Sequence, residues 1–142
     1  MVTAAVGIAH GRTGEFHYAS AGHPPAIVAS STRPPQRLEF GGLPLGIVSD
    51  AAYQSHRMQV SPGTLLVLYT DGAIEQSHNI IEGEQRLLDA VTAAGAEPNA
   101  AVRIYQIVFS DTRPIDDVAI LALRFVGDVT HAGLPPIAVE AP

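Results

Sequence analysis

The chain has 142 residues, 46% of them hydrophobic, which is enough for one domain with a real hydrophobic core. Its formal net charge of -6 and its scattered basic residues argue against binding to nucleic acid or to an anionic membrane surface. Since cysteine, a signal-like N-terminus and a membrane-length apolar run are all absent, we expect a cytoplasmic chain without disulfides or cysteine nucleophiles.

The first part of the sequence predicts a series of short β-strands. Residues 2–9 and 15–20 flank Gly11-Arg12-Thr13-Gly14, a pattern that is typical of a hairpin with a glycine-bearing turn. Residues 30–35 are polar and rich in proline, so we expect a surface loop there. Three further short strands are expected, at residues 25–29, 36–40 and 53–60. This part of the chain is therefore expected to be mainly antiparallel β-structure.

The second part of the sequence predicts a buried strand, two helices and a last strand. The continuous apolar run at residues 65–70 indicates the buried strand. A helix is expected at residues 82–94, where apolar side chains repeat on one face, and a second begins at Pro98, which suits a first helical turn. A final strand follows at residues 118–125. Strands with late helices predict the α+β class with antiparallel sheets.

Acidic residues stand at the ends of the two most apolar strands. Residues 65–70 lead into Asp71-Gly72, whereas Asp116 and Asp117 open the last strand. If the two strands pair antiparallel, the end of one lies beside the start of the other, and the aspartates meet at one sheet edge. Converging carboxylates with few basic residues nearby are typical of a site for a hard cation. The sequence therefore predicts a metal site that contains Asp71, Asp116 and Asp117.

Each of these aspartates also has an ordinary structural explanation. An Asp-Gly pair after a strand is by default a turn, and Asp116 and Asp117 could simply cap a strand with solvated charges. Adjacent residues on an extended backbone point to opposite faces, so at most one member of that pair should face a metal directly. The strand pattern alone does not decide between a metal-binding role and a structural role for these aspartates.

Five short motifs, in this order along the chain, resemble one known family. They are Phe16-His17-Tyr18-Ala19-Ser20-Ala21-Gly22-His23-Pro24-Pro25, Gly42-Leu43-Pro44-Leu45-Gly46, Pro62-Gly63, Leu68-Tyr69-Thr70-Asp71-Gly72 and Asp116-Asp117-Val118-Ala119. Together they resemble the SpoIIE-like branch of the PPM-type phosphatases, which are metal-dependent serine/threonine protein phosphatases. The resemblance covers roughly residues 2–125 and implies a fold of the α/β/β/α sandwich type built on antiparallel sheets.

The resemblance implies a site for two divalent cations, usually Mn²⁺ or Mg²⁺. In this family aspartates and waters hold the cations, and a metal-bridging water attacks the phosphorus of phosphoserine or phosphothreonine. By motif position Asp71 and Asp116 would be metal ligands, with Asp117 next in line. Gly72 would let the backbone approach closely behind the carboxylate of Asp71. No covalent intermediate is needed, which suits a chain without cysteine.

The resemblance also implies that part of the domain is not in this sequence. Family members have two strands and two helices upstream of the segment that begins here with Val2-Thr3-Ala4, and a further metal-binding aspartate in a Gly-His-Gly motif lies there. We therefore expect a partial phosphatase domain at residues 1–126, lacking its N-terminal part, and a flexible C-terminal tail at residues 127–142.

Two functions follow from this interpretation. The first is dephosphorylation of a bacterial regulatory phosphoprotein of the anti-sigma-factor antagonist type, in sigma-factor or stress signalling. The alternative is a catalytically inactive, truncated module that only binds a protein partner, because two acids hold paired cations weakly. In either case an uncovered apolar sheet face would favour a homodimer.

Overall fold

The structure is a computed structural model that describes residues 1–39, 41–76 and 79–126. The strands in these ranges are β1 Ala4–His10, β2 Glu15–Ala21, β3 Ile27–Ser30, β4 Arg33–Arg37, β5 His56–Gln59, β6 Leu65–Tyr69 and β7 Ile120–Arg124. The helices are α1 Ile80–Ala93 and α2 Ala100–Val108, and a single 3-10 turn spans Asp71–Ala73. The expected tail at residues 127–142 and Phe40, the expected end of a strand, lie outside the described residues.

The chain divides into two compact units whose segments alternate along the sequence. One unit contains Met1–Pro25, Glu39–Gly63 and the segment that begins at Phe125, and the other contains Ala26–Leu38 and Thr64–Arg124. The first unit holds a sheet with the strand order β1-β2-β5, and the second holds a sheet with the order β4-β3-β6-β7. Neighbouring strands pair antiparallel in both sheets, which confirms the predicted α+β class.

The first unit is built on the hairpin of β1 and β2. Gly14 closes the turn with a positive φ of 70°, a conformation that glycine adopts without steric cost. Its N–H donates to the carbonyl of His10 at 2.8 Å. Phe16 and Tyr18 alternate along β2 and are buried, so one face of this strand is apolar. The predicted hairpin is confirmed.

In the second unit, two helices cover one face of the sheet. The helix α1 packs against β3 and β4, and α2 packs against β7. The core between them is formed by buried side chains from both layers, including Ile27, Leu65, Val67, Tyr69, Leu87, Val91, Ile104 and Val108. Burying one such aliphatic side chain contributes about 1.5–3 kcal/mol, so this core holds β6 firmly in place. In the part of the chain that the structure describes, no helix is both long and apolar enough to cross a bilayer.

Several predicted element boundaries were wrong, among them those at β4, α1 and α2. Residues 33–35 were expected in a loop but begin β4, because this strand lies at a sheet edge, where prolines without an N–H are tolerated. Pro98 was expected in the first turn of a helix but lies in the turn before α2, which begins at Ala100. The helix α1 begins at Ile80, ahead of the expected residue 82, because the side chain of Asn79 accepts the N–H of Ile81 and caps it.

Candidate metal centre

The register of β6 and β7 places Asp71 beside the segment Asp116-Asp117. The two strands pair antiparallel from Leu65 with Arg124 to Tyr69 with Ile120. Asp71 follows the end of β6, and the acidic pair precedes the start of β7. The backbone therefore brings together the two acidic segments that the sequence pattern expected at one sheet edge.

Thr70 connects these two segments through hydrogen bonds. Its N–H donates to the carbonyl of Ala119 at 3.0 Å. Its hydroxyl donates to the carbonyl of Asp117 at 3.0 Å and accepts the N–H of Ala119 at 2.9 Å. These contacts continue the pairing of β6 and β7 beyond the last residues of the strands, so the backbone on either side of the acidic residues is held in a defined position.

Gly72 lies against the backbone of the acidic pair. A Cβ atom at this position would stand 2.5 Å from the carbonyl oxygen of Asp117 and 3.2 Å from that of Asp116. Real Cβ atoms essentially never come as close as the shorter of these distances, so only glycine permits the contact. The backbone that lies against Gly72 is that of residues 116 and 117.

All three aspartates of the candidate site are exposed. One carboxylate oxygen of Asp71 accepts the N–H of Gly72 at 3.0 Å, and one of Asp116 accepts the N–H of Asp117 at 2.7 Å. Among the described residues, the second oxygen of each and the whole carboxylate of Asp117 have no hydrogen-bond or ion-pair partner. Such solvent-facing oxygens are the donors that Mg²⁺ and Mn²⁺ prefer.

The described residues do not supply a complete metal shell. Within residues 1–39, 41–76 and 79–126, no three His, Asp or Glu side chains are grouped closely enough to hold a metal ion. The donor chemistry at this edge fits a hard divalent cation, but the aspartates present would provide only part of its ligands. Water and groups from outside these residues would have to provide the others.

Gly83 lies against the backbone of the loop that follows Asp71. The sequence pattern predicted no role for this residue. It lies inside α1, and a Cβ atom there would stand 1.8 Å from the carbonyl oxygen of Ile74. The N–H of Ile74 in turn donates to the carbonyl of Asp71 at 2.8 Å. This role could have been predicted from the presence of a glycine inside an otherwise helical pattern, because such a glycine often marks a close packing contact.

A buried amide lies in the same loop. Gln76 is 7% exposed, and neither its Nε2 nor its Oε1 atom has a hydrogen-bond partner among the described residues. A buried polar group without a partner costs about 1–3 kcal/mol. No sequence pattern marks this residue, since glutamine in a loop is usually exposed.

Comparison with known proteins gives a family match over most of the chain. The family described as stage II sporulation protein E (SpoIIE) matches residues 1–126. Protein IcfG of Synechocystis sp. is 30% identical over 82 residues, which are 56% of this chain and 13% of that protein.

Two solved structures share the fold. The structure of the RsbU and RsbW domains of Rv1364c from Mycobacterium tuberculosis has a TM-score of 0.79 at 25% identity, over 87% of this chain and 36% of that chain. The phosphatase domain of SpoIIE from Bacillus subtilis, presoaked with Mn, has a TM-score of 0.65 at 14% identity, over 95% of this chain and 59% of that chain. This chain therefore spans less than two thirds of each of these relatives.

Proposed function

Because this chain belongs to the SpoIIE family, we propose that it forms part of a PPM-type phosphatase that dephosphorylates phosphoserine or phosphothreonine on a bacterial regulatory protein. The observation that supports this best is the position of Asp71 beside Asp116 and Asp117 at the β6–β7 edge. Carboxylates from two strands that are distant in sequence share one solvent-facing edge there. That placement suits a metal site that must admit a phosphorylated side chain of another protein.

The proposal assigns the metal to named residues. Asp71 and Asp116 would hold Mn²⁺ or Mg²⁺, with Asp117 as the next candidate and Gly72 as the residue that allows the close approach. When bound, such a cation supplies an activated water and neutralises charge on the phosphoryl oxygens. The chain's own contribution is to hold carboxylate oxygens open to solvent at fixed positions, because prearranged ligands avoid reorganisation during the reaction.

The substrate belongs to the same proposal. The SpoIIE family and the similarity to the RsbU and RsbW domains of Rv1364c support a phosphoserine regulatory protein of the anti-sigma-factor antagonist type. The process would be sigma-factor or stress signalling in the cytoplasm. The net charge of -6 is consistent with a protein substrate and argues against nucleic acid.

A homodimer is a further part of the proposal, and β1 supports it. This strand lies at the edge of its sheet and carries no Asp, Glu, Lys or Arg. Val6 is 62% exposed and Ile8 is 58% exposed. An uncharged edge strand with exposed apolar side chains invites pairing with a second copy. Light scattering at micromolar concentration should show a dimer, and a clean monomer that binds no hydrophobic dye would remove this part of the proposal.

Thermal melts with Mn²⁺ test the metal assignment on this chain. We expect Mn²⁺ to raise the melting temperature, because a ligand that binds only the folded state stabilises it, by about 2.7 kcal/mol at a hundred times its Kd. Asp71→Asn and Asp116→Asn should each reduce this rise. In the absence of metal, the same variants should melt at an equal or higher temperature than the wild type, because removing one charge relieves carboxylate repulsion.

Asp50→Asn is the matched control for these melts. Asp50 is an exposed aspartate in the other compact unit, so its replacement should leave the response to Mn²⁺ unchanged. An identical response to Mn²⁺ in the wild type, Asp71→Asn and Asp116→Asn would remove both residues from the site.

A further inference from the structure

The hydroxyl of Thr70 links the backbone neighbours of both candidate metal ligands. Thr70 directly precedes Asp71, and its hydroxyl donates to the carbonyl of Asp117, the residue directly after Asp116. The same oxygen accepts the N–H of Ala119. A hydroxyl has one donor hydrogen and two acceptor sites, so its donor and one acceptor are both used across the strand pair.

These bonds add something that strand pairing does not provide. The bond from the N–H of Thr70 to the carbonyl of Ala119 uses only the backbone, so any residue except proline could make it. The side-chain bond reaches further, to residue 117, where β7 has not yet begun. Threonine is β-branched and therefore stiff about its first side-chain torsion, which keeps the hydroxyl directed at the acidic segment.

Among the described residues, the Asp116-Asp117 segment is followed by Val118, which packs against the core, but the two aspartates themselves have few contacts. Both residues are exposed, and their contacts with the end of β6 are the hydroxyl bond and the close approach of Gly72. The approach of Gly72 limits how near the segment can come. The hydroxyl of Thr70 limits how far it can move away.

We propose that Thr70 is a positioning residue that fixes the separation of the Asp71 and Asp116 carboxylates and thereby sets the affinity of this chain for a divalent cation. The inference rests on the proposed function, since it takes these aspartates as the ligands. Groups that orient metal ligands without touching the metal typically change its affinity by about 10–100-fold when they are replaced. Thr70 is suited to that role because its hydroxyl forms hydrogen bonds with backbone atoms near the ligands. The second carboxylate oxygens of Asp71 and Asp116 therefore stay available to a cation.

Titration with Mn²⁺, followed by the electron paramagnetic resonance signal of the free ion, tests the role of Thr70. Thr70→Val keeps the shape of the side chain and removes both hydroxyl bonds, so we expect its Kd for Mn²⁺ to rise about tenfold or more. Thr70→Ser restores the hydroxyl and should bind Mn²⁺ nearly as tightly as the wild type. A purely structural role of Thr70 would lower the melting temperature in Thr70→Val without changing the Kd of the folded chain.

Thr92→Val is the matched control, because it removes a hydroxyl that bonds only to the carbonyl of Leu88 within α1. This variant should keep the wild-type Kd. If Thr70→Val does not fold, Thr70→Ala removes the same hydroxyl and takes its place in the titration. A Kd equal to that of the wild type in the folded variant would overturn the inference and leave the proposed function standing. A wild-type chain that binds no Mn²⁺ would also overturn the inference, whereas the phosphatase proposal fails only if a chain extended by the upstream part of the domain binds no metal either.

Discussion

Gly83→Ala should destabilise the chain by about 3 kcal/mol or more, although alanine is the better helix former. Helix propensity alone would favour alanine by about 1 kcal/mol at this interior position of α1. The added Cβ, however, would stand 1.8 Å from the carbonyl oxygen of Ile74 and 2.6 Å from its carbonyl carbon. Both atoms belong to backbone, which cannot turn aside as a flexible side chain can. The helix and the loop would have to separate. The free-energy cost of this steric clash outweighs the gain in helix propensity.

The same substitution should disturb the candidate metal site. The N–H of Ile74 donates a hydrogen bond to the carbonyl of Asp71. A shift of Ile74 would therefore move the turn that presents the Asp71 carboxylate. We therefore expect Gly83→Ala to lose part of the Mn²⁺ response at temperatures where it remains folded. Denaturant unfolding of the variant and the wild type measures the change in the free energy of unfolding.

Gly11→Ala is the matched control for this measurement. A Cβ atom at Gly11 would meet nothing within 4 Å, and the residue lies in an exposed turn. Its replacement should change the free energy of unfolding by no more than about 0.5 kcal/mol. If Gly83→Ala proved as stable as the wild type, the packing of α1 on the loop after Asp71 would be wrong.

Asp71→Asn should lower phosphatase turnover by at least about 10³-fold in a chain extended by the upstream part of the domain. Losing a metal ligand removes both the activated water and the charge neutralisation, which together supply several kcal/mol, and each 1.36 kcal/mol is about tenfold in rate. The chain without that extension should hydrolyse a phosphoserine protein or an aryl phosphate very slowly or not at all, because the residues that the structure describes supply only part of a metal shell.

The assay is phosphate release from these substrates with Mn²⁺ or Mg²⁺. EDTA should abolish the activity of the extended chain, and Asp50→Asn should retain it. If the extended chain folds but binds no metal and acts on no phosphoprotein, the phosphatase proposal fails. The inactive protein-binding module then becomes the better account.

Several features of the fold and of the site were predictable because they depend on local pattern. The apolar runs of β6 and β7 predicted both strands, and the antiparallel pairing on which the meeting of the acidic segments depended is present. The turn at Gly14 was predictable because glycine occupies the left-handed conformation that such a turn requires. The convergence of the acidic segments then followed from the direction of the strands.

Other features depend on contacts between distant parts of the chain, which no local pattern contains. The hydroxyl of Thr70 bonds to residues 47 and 49 positions further along the sequence. The need for glycine at position 83 comes from the loop at Ile74 and is opposite to its helix propensity. The prolines of β4 suggested a loop because a sequence does not reveal which strand will lie at a sheet edge.

Anomalous diffraction from crystals soaked in MnCl₂ tests the metal site most directly. We predict a manganese peak at the β6–β7 edge, roughly 2 Å from a carboxylate oxygen of Asp71 and from one of Asp116. Crystals of Asp71→Asn treated in the same way should lose that peak. Well-diffracting wild-type crystals that show no manganese at this edge, or show it only elsewhere, would contradict the assignment of these aspartates as metal ligands.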